Sequence, residues 1–486
     1  MKSTIKFASF ASVLALTSVS CKKNFLDEPP RVQTVNDYFS TTNQAAREMV
    51  NAIYNKLYAW ETHSFSWMGM TEIASDNSDK GSDPGDTGAD KDQLDGYFFS
   101  PTSISFGEVW NSNYEGIARA NKAIEYIGKL DLPTAEKDRW IAEARYLRGY
   151  FYFNLVRSFG GVPKIDKVPV TEEEISNTYV RASADEIWDL IESDFQAALS
   201  LPSTQLVDLG RGTSDAARAF LAKSALYRKN WSSTLAYCDD LINSGRYELM
   251  ADYSHIWREI GEFSNESIWE VNCKGTDPQK GIIGYFVVQA PRSGARGLGW
   301  GFNTPTLDLV NAYEPGDVRK DATIMTSGQT LWDGWETDPN HPNKHYNYKA
   351  YVSRIAESWG KGDNETTKNL RVIRYAEVLL MAAEAENELG NSSKACDYLN
   401  IVRKRAGLAD FSSSDQSAVR EAIWKERRVE LAFEHDRTFD LRRQGRIGQV
   451  MRAHGKPFVD GKHELFPIPQ RQIDLGEGKL IQNPGY

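Results

Sequence analysis

Two groupings of residues in this chain could do chemistry: carboxylates set among guanidiniums, and tryptophans set among amides. From Lys425 the sequence reads KERRVELAFEHDRTFDLRRQGR, with Glu426, Glu430 and Glu434 at helical spacing among Arg427, Arg428, Arg437, Arg442 and Arg443. Glycoside hydrolysis needs only two carboxylates at the right separation, so a hydrolase stands as a rival reading. The simpler reading is a charged helix face whose acids and guanidiniums pair with each other. Nothing else favours catalysis. The chain has no nucleophile elbow, HExxH, CxxC pair, Walker loop or GxGxxG opening a helix, so no catalytic residue and no cofactor are expected. The histidines are scattered, and Pro339 and Pro342 keep His341 and His345 off one helix face.

Asp76 to Asp95, DNSDKGSDPGDTGADKDQLD, is carboxylate-rich but lacks the glycine and closing glutamate of an EF-hand in register, so no metal site is expected. It is too polar and glycine-rich for regular structure by pattern, and longer than most internal connections. A second irregular stretch, Asp252 to Asn369, carries Trp300, Phe302, Trp332, Trp335, Tyr346, Tyr348 and Trp359 beside Asn303, Asp333, Asn340, Asn343 and Asn347. Flat rings suit the C–H faces of sugars, and neighbouring amides and carboxylates suit their hydroxyls. The candidate glycan-binding residues are therefore Trp67, Asp76, Trp300, Asn303, Trp332, Trp335 and Trp359. A loop tryptophan can equally be the loop's private core, so only some of these are expected to reach solvent.

The elements that must position these loops are helices. Asn43–Tyr58, Trp110–Ile127 and Trp140–Phe159 place apolar residues at helical spacing, and Ser183, Ser214 and Ser232 open three more segments. VIRYAEVLLMAAEAENELG sets Val378, Ala382, Ala385 and Leu389 on one face and Glu377, Glu384 and Glu388 on another, up to Gly390. After Asn391 and Ser392 the same spacing resumes, so two antiparallel helices follow one another. ALYRKNWSSTLAYC from Ala225 aligns weakly with AENELGNSSKACDYL from Ala385, which gives TPR-like helix pairs with insertions. Ser267–Cys273 and Tyr285–Gln289 read as short strands.

With 486 residues, 41% hydrophobic and 26% charged, the chain can bury a large core. A net charge of -10 argues against nucleic acid or an anionic membrane surface as partner. Lys2 and Lys6 precede an apolar run from Phe7 to Val19 that is too short to span a membrane and ends just before Cys21. Cys21 is the expected lipidation site. That leaves Cys238, Cys273 and Cys396, an odd number, so no disulfide framework organises the fold.

The two dense segments, the ending LFPIPQRQIDLGEGKLIQNPGY, the NFLDEPP after Cys21 and the GGVPKI from Gly160 resemble the SusD/RagB family of outer-membrane nutrient-binding lipoproteins. The resemblance covers nearly the whole chain. It implies a mainly α fold, in which TPR-like helix pairs form a right-handed helical scaffold and a loop-rich, irregular insertion region carries the ligand site. Residues 1–20 would be a lipoprotein signal peptide, 21–35 a lipidated tether, and 36–486 the glycan-binding domain, with irregular insertions at about 63–109 and 252–369. The implied function is binding of an oligo- or polysaccharide at the cell surface, lipid-anchored in the outer membrane, with delivery to a SusC/RagA-type TonB-dependent transporter. A TPR-like scaffold lipoprotein that binds only proteins, and a peptide-binding member of the family, are the alternatives.

Overall fold

A computed structural model describes residues 43–83, 85, 86, 88–203, 208–273, 282, 284–292, 299–358 and 366–486. Cys21, the leader, the tether and Trp359 lie outside the described residues. The body is built from α1 (Asn43–Tyr54), α2 (Ile104–Lys129), α3 (Thr134–Phe159), α4 (Ala184–Ala198), α5 (Ser214–Tyr227), α6 (Trp231–Asn243), α7 (Tyr375–Glu388), α8 (Ser392–Arg405), α9 (Gln416–Glu430) and α10 (Arg437–Arg443).

Consecutive helices pack as pairs: α2 on α3, α3 on α4, α5 on α6 and α7 on α8, with α6 against α7 joining the middle of the chain to its C-terminal part. The fold is mainly helical, as expected. From Tyr146 to Phe159 every residue of α3 is buried, as in a helix enclosed on all sides. Trp269 packs edge-on against Tyr146 and Tyr150, with ring centroids 5.2 and 5.0 Å apart. Ser183 caps α4 through a capping box with Glu186. In the weak repeat, Asn230 and Asn391 occupy the N-cap positions rather than the serines, and Lys229 and Gly390 turn the chain through the left-handed region.

Several expectations are corrected. VIR of the first dense stretch is strand β6 (Leu370–Arg374), and the helix starts at Tyr375. Residues 285–289 form a helical turn, not a strand. The Asp76–Asp95 stretch is not irregular: it contains strand β1 (Ser78–Gly81) and a helix from Ala89 to Gly96. Its partner is β3 (Phe302–Pro305), antiparallel with Ser78 opposite Pro305, so the two stretches read as separate insertions are stitched together. Strand β2 (Ser267–Val271) pairs with β6, and β4 (Ile324–Thr326) with β5 (His345–Asn347).

The expected charged helix face is buried. Glu430 is fully enclosed and receives Arg319 at 3.0 Å, Arg374 at 2.9 Å and Arg405 at 2.5 Å. Burial by itself would raise this carboxyl, but Arg405, Arg374 and Arg319 overcome it and hold the group well below the usual carboxylate range. Arg374 also binds Glu266 and Glu434, the latter at 2.7 Å, and Lys349 reaches Glu434 at 2.7 Å. Beyond the break at residues 431–436 a second set continues: Asp436 with Lys223 (2.7 Å) and Arg157 (2.9 Å), Glu377 with Lys223 (2.9 Å), Asp440 with Arg427 (3.0 Å), and Glu384 with Arg443 (2.6 Å). Glu377 and Glu384 are therefore interior groups, while Leu389, placed by periodicity on the apolar face, is 41% exposed.

Replacing Glu430 with alanine should cost about 3–5 kcal/mol of unfolding free energy, because three buried guanidiniums each lose one of their carboxylate partners. Denaturant titration reads this directly. A loss below about 1 kcal/mol, the worth of an exposed pair, would contradict the buried assignment.

Candidate functional site

Trp300 precedes β3 and is 39% exposed, although β3 itself is buried throughout. Its ring lies 5.9 Å from that of Trp60 and 6.1 Å from that of Phe65, and Phe65 meets Phe302 edge-on at 4.7 Å. The Lys91 ammonium sits 4.1 Å over the Phe65 ring. Together these groups form a tilted aromatic shelf with one cation beneath it.

The shelf is held by backbone hydrogen bonds. The Trp300 N–H donates to the Val287 carbonyl at 2.8 Å, and its own carbonyl accepts from the Ser82 hydroxyl at 2.8 Å. Ser82 and Gly301 both lie in the left-handed region, which lets the Ser82 N–H donate to the Gly301 carbonyl at the end of the β1–β3 ladder. Arg292 pairs with Asp86 and reaches the Ser82 hydroxyl at 3.2 Å, while the Asn343 amide donates to the Ser82 carbonyl at 2.8 Å. The Ser82 hydroxyl and Arg292 hold the Asp86 carboxyl below its ordinary value. Beneath Trp60 lies Gly284, at φ +73°; a Cβ there would fall 2.1 Å from the indole ring.

Trp332 is the second exposed tryptophan, at 47%. The buried Arg258 guanidinium lies 5.0 Å from its ring centroid and 4.8 Å from that of Tyr348. Its backbone N–H donates to the Tyr348 hydroxyl at 3.1 Å. Next to it, Asp333 accepts from the Tyr351 hydroxyl at 2.6 Å and from the Trp335 N–H at 3.0 Å.

The structure separates the other candidates from this surface. Trp67 is 2% exposed and packs on Phe439, 5.7 Å between centroids, so neither of its faces is open to a ligand. Asp76, also 2% exposed, is chelated by Arg437 at 2.7 and 2.8 Å and pairs with Arg428 at 2.9 Å; despite burial, these guanidiniums hold it well below the usual range. Asn303, 1% exposed, accepts from the Ser78 hydroxyl at 2.6 Å and donates to Gln289 at 2.8 Å, bracing the ladder under Trp300. Trp335 is half-buried against the Phe286, Tyr346, Tyr348 and Tyr351 cluster, with no hydrogen-bond partner for its indole N–H. Trp60, Phe65, Lys91 and Arg258 were missed. The aromatic spacing of WETHSFSW was a signal for Trp60 and Phe65, and none marked Lys91 or Arg258.

Under the shelf, residues Gly69–Ile73 form a π-turn that carries a buried acid, Glu72. One Glu72 oxygen accepts the His435 N–H at 2.6 Å, and the other has no partner. Burial pushes this carboxyl up to about 8, against the His435 N–H, which lowers it. The Thr71 hydroxyl donates to the Trp67 carbonyl at 2.8 Å, so it accepts from the His435 ring at 2.9 Å; the other ring nitrogen then accepts from Tyr285 at 3.3 Å. That arrangement requires a neutral imidazole, in keeping with burial lowering His435 to about 3.

Among the described residues no cluster of three His, Cys, Asp or Glu could hold a metal ion, and Cys238, Cys273 and Cys396 are free thiols. An irregular, aromatic-bearing surface on paired helices defines a binding protein. The SusD family model matches residues 265–486, and a family model described as starch-binding associating with outer membrane matches residues 24–226. SusD-like protein P2 of Formosa agariphila is 26% identical, over 98% of both chains. Surface glycan-binding protein A from Bacteroides thetaiotaomicron has a TM-score of 0.80 at 26% identity, covering 92% of this chain and 100% of that one. The same protein in complex with laminarihexaose scores 0.78 at 25% identity over 91% of this chain and all of that one. A laminarin binding SusD-like protein scores 0.78 at 27% identity over 92% and 100%. The chain belongs to the SusD/RagB family. It is a binding protein rather than an enzyme.

Glu72→Gln tests the electrostatics beneath the shelf. The folded-state value of Glu72, about 8, lies above its unfolded value, so the stability that goes with its proton is complete below the unfolded value and is lost as pH rises towards 8. The neutral amide escapes that loss. The variant should match the wild type near pH 4.5 and exceed it increasingly up to pH 8, by at most about 4 kcal/mol. Denaturation midpoints across this window check it; a difference independent of pH would contradict a proton on buried Glu72.

Proposed function

We propose that this protein captures an oligo- or polysaccharide at the cell surface and hands it to a SusC/RagA-type TonB-dependent transporter. The observation that carries the reading is Trp300: an exposed indole whose backbone is fixed on both sides by hydrogen bonds, beside Trp60 and Phe65. An exposed ring fixed in place is a poor use of apolar surface unless something stacks on it. Trp332, backed by Arg258, is the second such face. Relatives named for glycan and laminarin binding support the carbohydrate class and make a β-glucan the first probe. A protein-only scaffold has no use for these rings.

Delivery follows from the rest of the reading. A lipid on Cys21 holds the protein at the outer membrane, facing outward, and the family model's description as outer-membrane associating supports that place. Tethering raises the effective concentration towards a neighbour in the same membrane, and the stacked helix pairs offer broad faces for docking it. The irregular segments are left to the ligand.

Trp300→Ala and Trp332→Ala should each weaken binding of the glycan found on a carbohydrate array by about 1.5 kcal/mol, roughly tenfold in Kd, with little change in Tm. Calorimetric titration measures it, and wild-type affinity in both variants would overturn the platform. The anchoring and the partnership are read together by fractionation. Cys21→Ser should leave the membrane fraction, while the wild type, extracted in mild detergent, should co-purify with a large barrel protein. A wild type that purifies alone under several gentle conditions would sink the delivery step.

A further inference from the structure

We propose a second carbohydrate subsite in the cleft formed by Arg246, Tyr247, Phe263, Ser264 and Ser267 with Leu209 at its rim. It rests on the glycan reading above and extends it to a longer chain. The cleft has a volume of about 230 Å³. By the same measure the cavity beside Lys349 and Lys368 holds about 30 Å³ and the one beneath His63 about 20 Å³, which is room for water only. Of these three, the cleft alone could admit a sugar ring.

Its lining has sugar chemistry. Phe263 stands at φ +53°, a conformation that a bulky residue adopts only under constraint, and the Glu270 carboxylate fixes it by accepting its N–H at 3.0 Å. Among the described residues its ring stacks on no other aromatic ring and joins no hydrophobic cluster, so the core does not account for its position. Tyr247 is fixed beside it, its hydroxyl 3.1 Å from Asp215 and its ring stacked on that of Tyr375. Among the described residues the Ser264 and Ser267 hydroxyls have no protein partner, and Asp215 orients Arg246 through Nε and Nη2. Hydroxyl donors and acceptors, one oriented guanidinium and an unstacked ring are what a pyranose needs from a protein. The one carboxylate in its lining, Glu270, is taken up by the Phe263 N–H, the Asn369 amide and Arg371, so the cleft is suited to neutral sugar.

A partly exposed path joins it to the shelf. The Asn272 amide donates to the Leu209 carbonyl at 3.0 Å, and the Asn272 carbonyl accepts from Tyr58 at 3.0 Å. Tyr58 lies two residues before Trp60, which borders Trp300. A polysaccharide laid across Trp300 thus has a second foothold, and two weak footholds on one chain multiply.

The test uses native gels containing laminarin, starch, xylan or mannan. Phe263→Gly removes the ring, and glycine suits φ +53°, so the fold is kept; a Ser264→Ala, Ser267→Ala double variant removes the hydroxyls. Each should weaken retardation by the polysaccharide that holds the wild type about tenfold, with Tm unchanged, and the loss should multiply with that of Trp300→Ala. Wild-type retardation of both cleft variants would overturn the subsite and leave the glycan reading standing. A wild type held by none of the four polysaccharides would overturn both.

Discussion

Three guanidiniums converge on one carboxylate in the interior of this protein, and few other arrangements of its chain would tolerate that. Arg319 comes from the second irregular stretch, Arg374 from β6, Arg405 from α8 and Glu430 from α9. A buried charge without its partner costs several kcal/mol, so each segment is held to the place where the others find it. Lys349, from the same irregular stretch, adds a further tie through Glu434. The helical pairs supply the bulk of the apolar burial, but it is this polar centre that fastens the loops to them. The dense stretch of acids and arginines is thus the clamp between scaffold and binding surface rather than a reaction centre. Its carboxylates are spent on structure.

Much of the scaffold could be read from the sequence because helical periodicity is local. Val378, Ala382 and Ala385 face inward as their spacing requires, and Ser183 and Glu186 announce the start of α4. What periodicity cannot show is depth. Glu377 and Glu384 sit on the polar side of their helix by pattern and inside the protein in fact, because arginines distant in sequence fold over them. The same limit governs the aromatic residues. Trp67 and Trp300 are one residue type in stretches without helical periodicity, and the arrival of Phe439 and His435 against one of them distinguishes core from surface.

The pairing of β1 with β3 was invisible for a related reason. DNSDKG is a poor strand by composition, and its partner lies far along the chain: Ser78 and the Asn303 side chain that receives its hydroxyl are separated by 225 residues. Short polar strands form where tertiary structure supplies the edge, not where propensity asks for them. Asn303, read as a ligand partner, is instead buried beneath the ladder and bonded to Ser78 and Gln289. It braces the strand that follows the Trp300 indole.

That long-range ladder also sets an order of events. A contact across so many residues carries a large loop-closure entropy and is favourable only after the intervening helices have shortened the path between its ends. Trp300 acquires its fixed backbone when β3 finds β1, so the shelf is among the last features to form. A molecule arrested with its helices paired but this ladder open would have the scaffold without the fixed indole. The environment of the Trp300 indole is therefore a sensitive report of complete folding, more so than helix content, which is already present before the final stitch.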